Sequence, residues 1–209
     1  MNQESQKQLT QNRWIWLTTA GWLIGILLVI GFAMLGEIIL HTNDESGGQA
    51  AVGIGMGTGV GLMQWVVLRK YLESVQKWLW FSIIGFTLSY VSFDLIAANI
   101  DLNIKAEVAL PLATTLGALT SGWLQYKFIL RNITSKASNW IAYNTIAWLL
   151  AHLITSGMVL INMKTSFNMP KVIIAVVALC FLTVGGPILG FITGRFIIPA
   201  INKQTPNEQ

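Results

Sequence analysis

Six stretches of this sequence, 14–40, 51–68, 78–100, 108–126, 140–161 and 172–194, contain no lysine or arginine. A helix that crosses a hydrocarbon core needs about 20 apolar residues, and unbroken runs of that length are foreign to small soluble folds. Charged residues make up 11% of the chain and hydrophobic ones 54%. Soluble domains carry about 25% charge, so a water-soluble protein of this balance lacks the polar surface to cover itself. The expectation is an all-α membrane protein with six transmembrane helices. It forms one domain over 1–209, with polar tails at 1–12 and 199–209. The first run is longer than the core of a cleaved signal peptide and is read as a retained span.

The basic residues set the orientation. Lys7, Arg13, Arg69, Lys70, Lys77, Lys127, Arg131, Lys136, Arg195 and Lys203 fall on one side of the six runs. Only Lys105, Lys164 and Lys171 fall on the other, and the loop HTNDESGGQA at 41–50 has none. Cytosolic loops concentrate lysine and arginine, so both termini are expected in the cytosol. The same bias explains the net charge of +4 without nucleic acid as a partner. Trp14, Trp16, Trp65, Trp78, Trp80, Trp123 and Trp140 lie near the basic ends, where amphipathic rings are expected to anchor at the headgroups.

The chain reads as one hairpin written three times, at about 14–70, 78–131 and 140–198. Trp14-Ile-Trp16 precedes Gly21-Trp22, Trp78-Leu-Trp80 precedes Gly85-Phe86, and Trp140 precedes Ala147-Trp148, at one spacing. The second halves align as Gly57-x-x-x-Gly61-x-x-Gln64-Trp65, Ala118-x-x-x-Gly122-x-x-Gln125-Tyr126 and Gly186-x-x-x-Gly190-x-x-Thr193. Leu68-Arg69 and Leu130-Arg131 follow in the first two copies, and Arg195 alone in the third. With Gly57, Gly61, Gln64, Trp65, Leu68, Arg69 and Trp78, the chain resembles a class of bacterial, cyanobacterial-type polytopic membrane proteins. Their tandem hairpins carry G-x-x-x-G-x-x-Q-W-x-x-L-R before a tryptophan-rich span. The resemblance implies a multi-pass protein of the bacterial plasma membrane and carries over no activity, ligand or cofactor.

Lipid gives helices no hydrophobic reason to associate, so small residues that let backbones approach must supply contact. Gly53, Gly57 and Gly61 make one such stripe on the second run. Gly55 and Gly59 make another, about 200° around the helix. Gly122, Gly186 and Gly190 are the corresponding packing positions in the later copies. A helix smooth on two sides belongs between neighbours. The even-numbered helices are expected to form an inner set, with the tryptophan-rich odd helices outside.

Ionisable groups within the runs are the default functional candidates, because their burial is expensive. At about 1.5 Å per residue from the basic end, Glu37 lies roughly 35 Å along its helix, Asp94 roughly 24 Å and His152 roughly 18 Å. Glu37 is expected beyond the hydrocarbon. Asp94 and His152 have two readings: structural hydrogen bonds, or a shared outward cavity on a ligand or ion path. Gln64, Gln125 and Thr193 recur at one depth and read either as a polar ring or as hydrogen-bonding glue between helices.

Catalytic chemistry finds no footing. His152 and Ser156 share a helix face, whereas acyl transfer needs a nucleophile, an oriented base and an oxyanion hole. The run GIGMGTGVG lacks both the lysine of a phosphate loop and the aromatic filter of a potassium channel. Two histidines and the single Cys180 make no metal cluster, and no cofactor is implied. The chain is therefore expected to be a non-enzymatic membrane subunit or scaffold. Its partners would be the bilayer, other membrane proteins or its own copies. The alternative is a small-molecule or ion transporter or its substrate-binding subunit, with Pro187 after Gly185-Gly186 a candidate break in the last helix.

Overall fold

The computed structural model describes residues 8–40, 48–72, 75–99, 106–164 and 171–203, the side chains of some helix-end residues excepted. These residues form six α-helices and no strand. In chain order they are α1 (Gln11–Leu40), α2 (Gly48–Leu68), α3 (Gln76–Asn99), α4 (Ala106–Phe128), α5 (Asn139–Lys164) and α6 (Lys171–Asn202). Each apolar run has become a helix, since a long run without water partners must bond its own backbone. Serines and threonines do not interrupt the helices because their hydroxyls return to carbonyls one turn back, as in Thr19 to Ile15, Ser89 to Gly85 and Thr145 to Ile141.

Among the described residues, α1, α2, α3 and α6 contain stretches long and apolar enough to cross a membrane. α4 and α5 carry the polar residues Thr114, Ser121, Gln125 and Asn144, all buried. α6 runs unbroken through Pro187 and Pro199, so the candidate break at Pro187 is not formed. A proline removes one ladder bond, and α6 lies close against α1 at Gly186 and Gly190 on either side of Pro187. α6 also continues past 194, where the apolar run ends at Arg195, and buries Ile197 and Ile201.

Each helix packs on its neighbours in sequence, and α6 closes back on α1. The result is a closed six-helix ring, and the expected inner set of even helices is not formed. The reason lies in α2. The stripe Gly53, Gly57 and Gly61 abuts α3, while Gly55 and Gly59 abut α1. Faces about 200° apart seat partners on opposite sides, which makes α2 a segment of wall. α2 is also the most enclosed of the four membrane-length stretches and α1 the least.

The termini meet at one end of the ring, where Leu9 N–H donates to Asn202 Oδ1 and Asn202 Nδ2 donates to the Leu9 carbonyl, at 3.2 and 3.1 Å. This seam between α6 and α1 occupies the place that residues 69–72 and 75 occupy between α2 and α3 and that the connection 129–138 occupies between α4 and α5. Those connections tuck Leu72, Val75, Ile129, Leu130 and Ala137 beneath the bundle, as Leu9 and Ile201 do at the seam.

Candidate functional site

The odd helices send aromatic side chains to the centre of the ring in two layers. Trp14, Trp78 and Trp140 form the layer nearest the termini and are fully buried, with Trp78 and Trp140 5.2 Å apart between ring centroids. Eight residues on, Trp22, Phe86 and Trp148 form the next layer, with centroids 5.5 Å apart for Trp22–Trp148 and 4.3 Å for Phe86–Trp148. This corrects the expectation that the seven tryptophans all anchor at headgroups. In each Trp-x-Trp pair the first ring is interior, while Trp16 and Trp80 are 73% and 61% exposed.

An indole carries a donor that must be bonded when buried, and here the recurring polar residues of the even helices meet it. Trp78 donates to Gln64 Oε1 at 3.0 Å, Trp140 to Gln125 Oε1 at 2.8 Å and Trp14 to Thr193 Oγ1 at 3.0 Å. Each bond joins an even helix to the odd helix after it around the ring. All three acceptors are buried, so they are joints between helices and form no open polar ring. One turn after each tryptophan stands another buried polar residue, Thr18, Ser82 or Asn144. Gln125 Nε2 donates to Ser82 Oγ at 3.0 Å. Gln64 Nε2 and Thr18 Oγ1 have no partner.

That difference ranks two substitutions. Gln125→Leu leaves the Trp140 N–H unbonded and removes the tie to Ser82. Gln64→Leu orphans one N–H but also removes an amide that is half unsatisfied. Orphaning a buried donor costs about 1–3 kcal/mol, so Gln125→Leu is expected to lie near the upper end and Gln64→Leu near the lower. Thermal unfolding in detergent checks the order, and a lower melting temperature for Gln64→Leu than for Gln125→Leu would reverse it.

Beyond the second aromatic layer, toward the end opposite the termini, the ring surrounds a partly open cavity of about 250 Å³ to which all six helices contribute. Its floor is Trp22, Phe86 and Trp148. One side is apolar, formed by Ile26, Val29, Ile30, Val52, Met56 and Leu182. The other holds Tyr90, Thr114, His152, Thr155 and Ser156. Tyr90 Oη lies 2.6 Å from Thr114 Oγ1, which lies 3.3 Å from His152 Nδ1, and His152 Nε2 lies 3.0 Å from Ser156 Oγ. These residues make a continuous chain of hydrogen bonds along one wall.

His152 is thus in a cavity, but Asp94 is not among the residues that line it. Asp94 Oδ2 accepts the Ala50 N–H at 3.1 Å, a carboxylate set at the positive N-terminal end of α2. Of the two readings of Asp94, the structural hydrogen bond is the one the structure shows, and Asp94 and His152 do not share this cavity. Depth along a helix brings the two to similar heights, but the azimuth of Asp94 turns it to α2. The side chain of Glu37 lies outside the described residues.

The packing glycines sit at helix contacts, against backbone at Gly53, Gly57, Gly186 and Gly190 and against side chains at Gly61 and Gly122. A Cβ added at Gly53 or Gly57 would stand 2.9 Å from the carbonyl oxygen of Phe86 or Ser82, and at Gly61 2.6 Å from the Ser82 Cβ. Gly122 faces Asn144, Gly186 faces Thr19, and Gly190 faces Ile15. Sequence reading missed Gly21 and Gly25, which meet Gly55 and Gly59 across the α1–α2 contact. It also missed Tyr90 and Thr114. Carrying the alignment twelve residues past each first tryptophan puts Ile26, Tyr90 and His152 in one column, and all three line the cavity.

Among the described residues no cluster of histidine, cysteine and carboxylates could hold a metal ion. Comparison with protein families, with curated proteins and with solved structures finds no match to this chain.

Proposed function

We propose that this chain is a six-span protein of the bacterial plasma membrane that holds a small molecule in the outward half of its ring. In this reading it is a non-enzymatic binding subunit. The cavity carries the proposal: six helices converge on it, an aromatic layer floors it, and one wall offers hydrogen bonds. Ligand sites are concave and mostly apolar, with a few placed polar groups, and this cavity has that make-up.

Spanning by all six helices is supported by the outer faces of α4 and α5. Leu112, Leu116, Leu119, Ile146, Leu150 and Leu153 are exposed there, so the residues that lower their hydropathy point inward and the outward surface suits lipid. Orientation rests on the cations of the terminal end. Arg69, Lys127 and Arg195 fold over Trp65, Trp123 and Phe191, 5.0, 4.6 and 4.5 Å from the ring centroids, as amphipathic side chains do at a membrane interface. On this orientation the cavity faces away from the cytosol. Acyl transfer by Ser156 and His152 is not supported, because the second imidazole nitrogen meets the Thr114 hydroxyl and no carboxylate.

Native mass spectrometry of the detergent-purified protein tests the proposal against Ile26→Trp, which fills the cavity from its apolar side and leaves the hydrogen-bond chain intact. The expected result is a small-molecule adduct on the wild type and none on the variant. Identical spectra from two equally folded proteins would overturn the binding reading.

A further inference from the structure

The protons of the cavity wall can be assigned one at a time. One arrangement engages every proton: in it Thr114 gives its single hydroxyl proton to the Leu110 carbonyl, at 2.9 Å. Thr114 Oγ1 is then an acceptor for its other two neighbours. Tyr90 therefore donates to it at 2.6 Å, and His152 donates from Nδ1 at 3.3 Å. With the imidazole neutral, Nε2 carries no proton, and Ser156 donates to it at 3.0 Å. Thr155 spends its proton on the carbonyls of Ala151 and His152, both at 3.0 Å. Every hydroxyl and imidazole proton on this wall is engaged within the protein. Lone pairs on the Tyr90, Thr155 and Ser156 oxygens remain.

Two further features bound the ligand. No lysine, arginine, aspartate or glutamate lines the cavity among the described residues, and an unpaired charge is costly to bury there. The volume of about 250 Å³ exceeds the ~150 Å³ that accommodates benzene and falls below the ~300–1,000 Å³ of drug-sized sites. We infer that the cavity selects a small neutral molecule, of one ring or a short chain, whose single polar group donates a hydrogen bond: an alcohol or a neutral N–H compound. The inference rests on the binding reading above and adds the sense of the hydrogen bond and the absence of charge.

The test uses the purified full chain in lipid nanodiscs and three probes of one skeleton: 2-phenylethanol, its methyl ether and phenylacetate. Empty nanodiscs and the Ile26→Trp protein correct for partition into lipid. Calorimetric titration is expected to give saturable binding of the alcohol, with the ether about tenfold weaker or more, as for loss of one hydrogen bond, and no binding of the anion. In Tyr90→Phe/Ser156→Val the preference for alcohol over ether is expected to shrink to about threefold or less. An ether bound as tightly as the alcohol, or saturable binding of phenylacetate, would overturn the inference while leaving the binding reading standing. If none of the probes binds wild type differently from Ile26→Trp, both readings fall. The probe series on the unaltered protein decides the matter even if the double variant does not fold.

Discussion

Trp140→Ala is expected to lower stability by about 3–5 kcal/mol, the range for emptying a large aromatic from a packed core, whereas Trp80→Ala should stay within about 0.5 kcal/mol. Trp140 is fully buried, lies against Trp78 and Phe196 at 5.2 and 5.8 Å, and donates to Gln125. Its loss leaves a void among three helices and removes the donor that Gln125 Oε1 accepts. Lipid does not refill such a void from inside the ring, and helix association in a bilayer depends on packing contact. Trp80 is 61% exposed on the outer surface, where lipid or detergent replaces what the ring touched. At about 2–4 °C per kcal/mol for a chain of this size, the interior substitution should move the melting temperature by roughly 10 °C. Thermal unfolding in one detergent measures both. Comparable losses at the two positions would mean that the tryptophan layer does not hold the ring together.

The same pair shows where sequence reading stops. The apolar runs define six helices because backbone bonding in an apolar segment admits little else. The Trp-x-Trp spacing puts two rings about 200° apart on a helix, so one must face in and the other out, but composition does not say which. The partner decides, since Trp14 and Trp78, the first rings of the two pairs, meet Thr193 and Gln64 on the preceding helix of the ring, as the unpaired Trp140 meets Gln125. For Trp14 that preceding helix is α6, 179 residues away, and no local pattern announces a contact of that span.

The choice between the two readings of Asp94 turns on a related point. Rise per residue gives a depth, but azimuth depends on which neighbour is present, and the free N–H groups at the start of α2 supplied one. Tyr90, Thr114 and Ser156 are unremarkable residues singly. They become a site because ring closure brings α3, α4 and α5 around one axis, an effect of topology that no single segment carries.

Gly59→Ala and Gly31→Ala are expected to change stability in opposite directions, although the chemical change is the same. Both glycines lie in helices, and replacing a helical glycine by alanine favours the helix by up to about 1 kcal/mol. At Gly31 nothing lies within 4 Å of an added Cβ, so that gain should appear undiminished. At Gly59 the added Cβ would overlap the Gly25 amide nitrogen and stand 2.5 Å from both the Gly21 carbonyl oxygen and the Gly25 Cα. Those atoms are backbone, so no side chain can rotate away and α1 and α2 must separate. The contact is reciprocal, since a Cβ on Gly21 would stand 2.7 Å from the Gly59 oxygen. Overpacking of this kind costs about 1–3 kcal/mol for a single added carbon, more than the helix propensity gained. Separation would also open the ring wall beside Met56 and Ile26, so a ligand held in the cavity should bind more weakly to the Gly59 variant and unchanged to the Gly31 variant. Melting temperatures in detergent give the signs directly, and a Gly59→Ala protein at least as stable as wild type would show that α1 and α2 do not meet backbone to backbone.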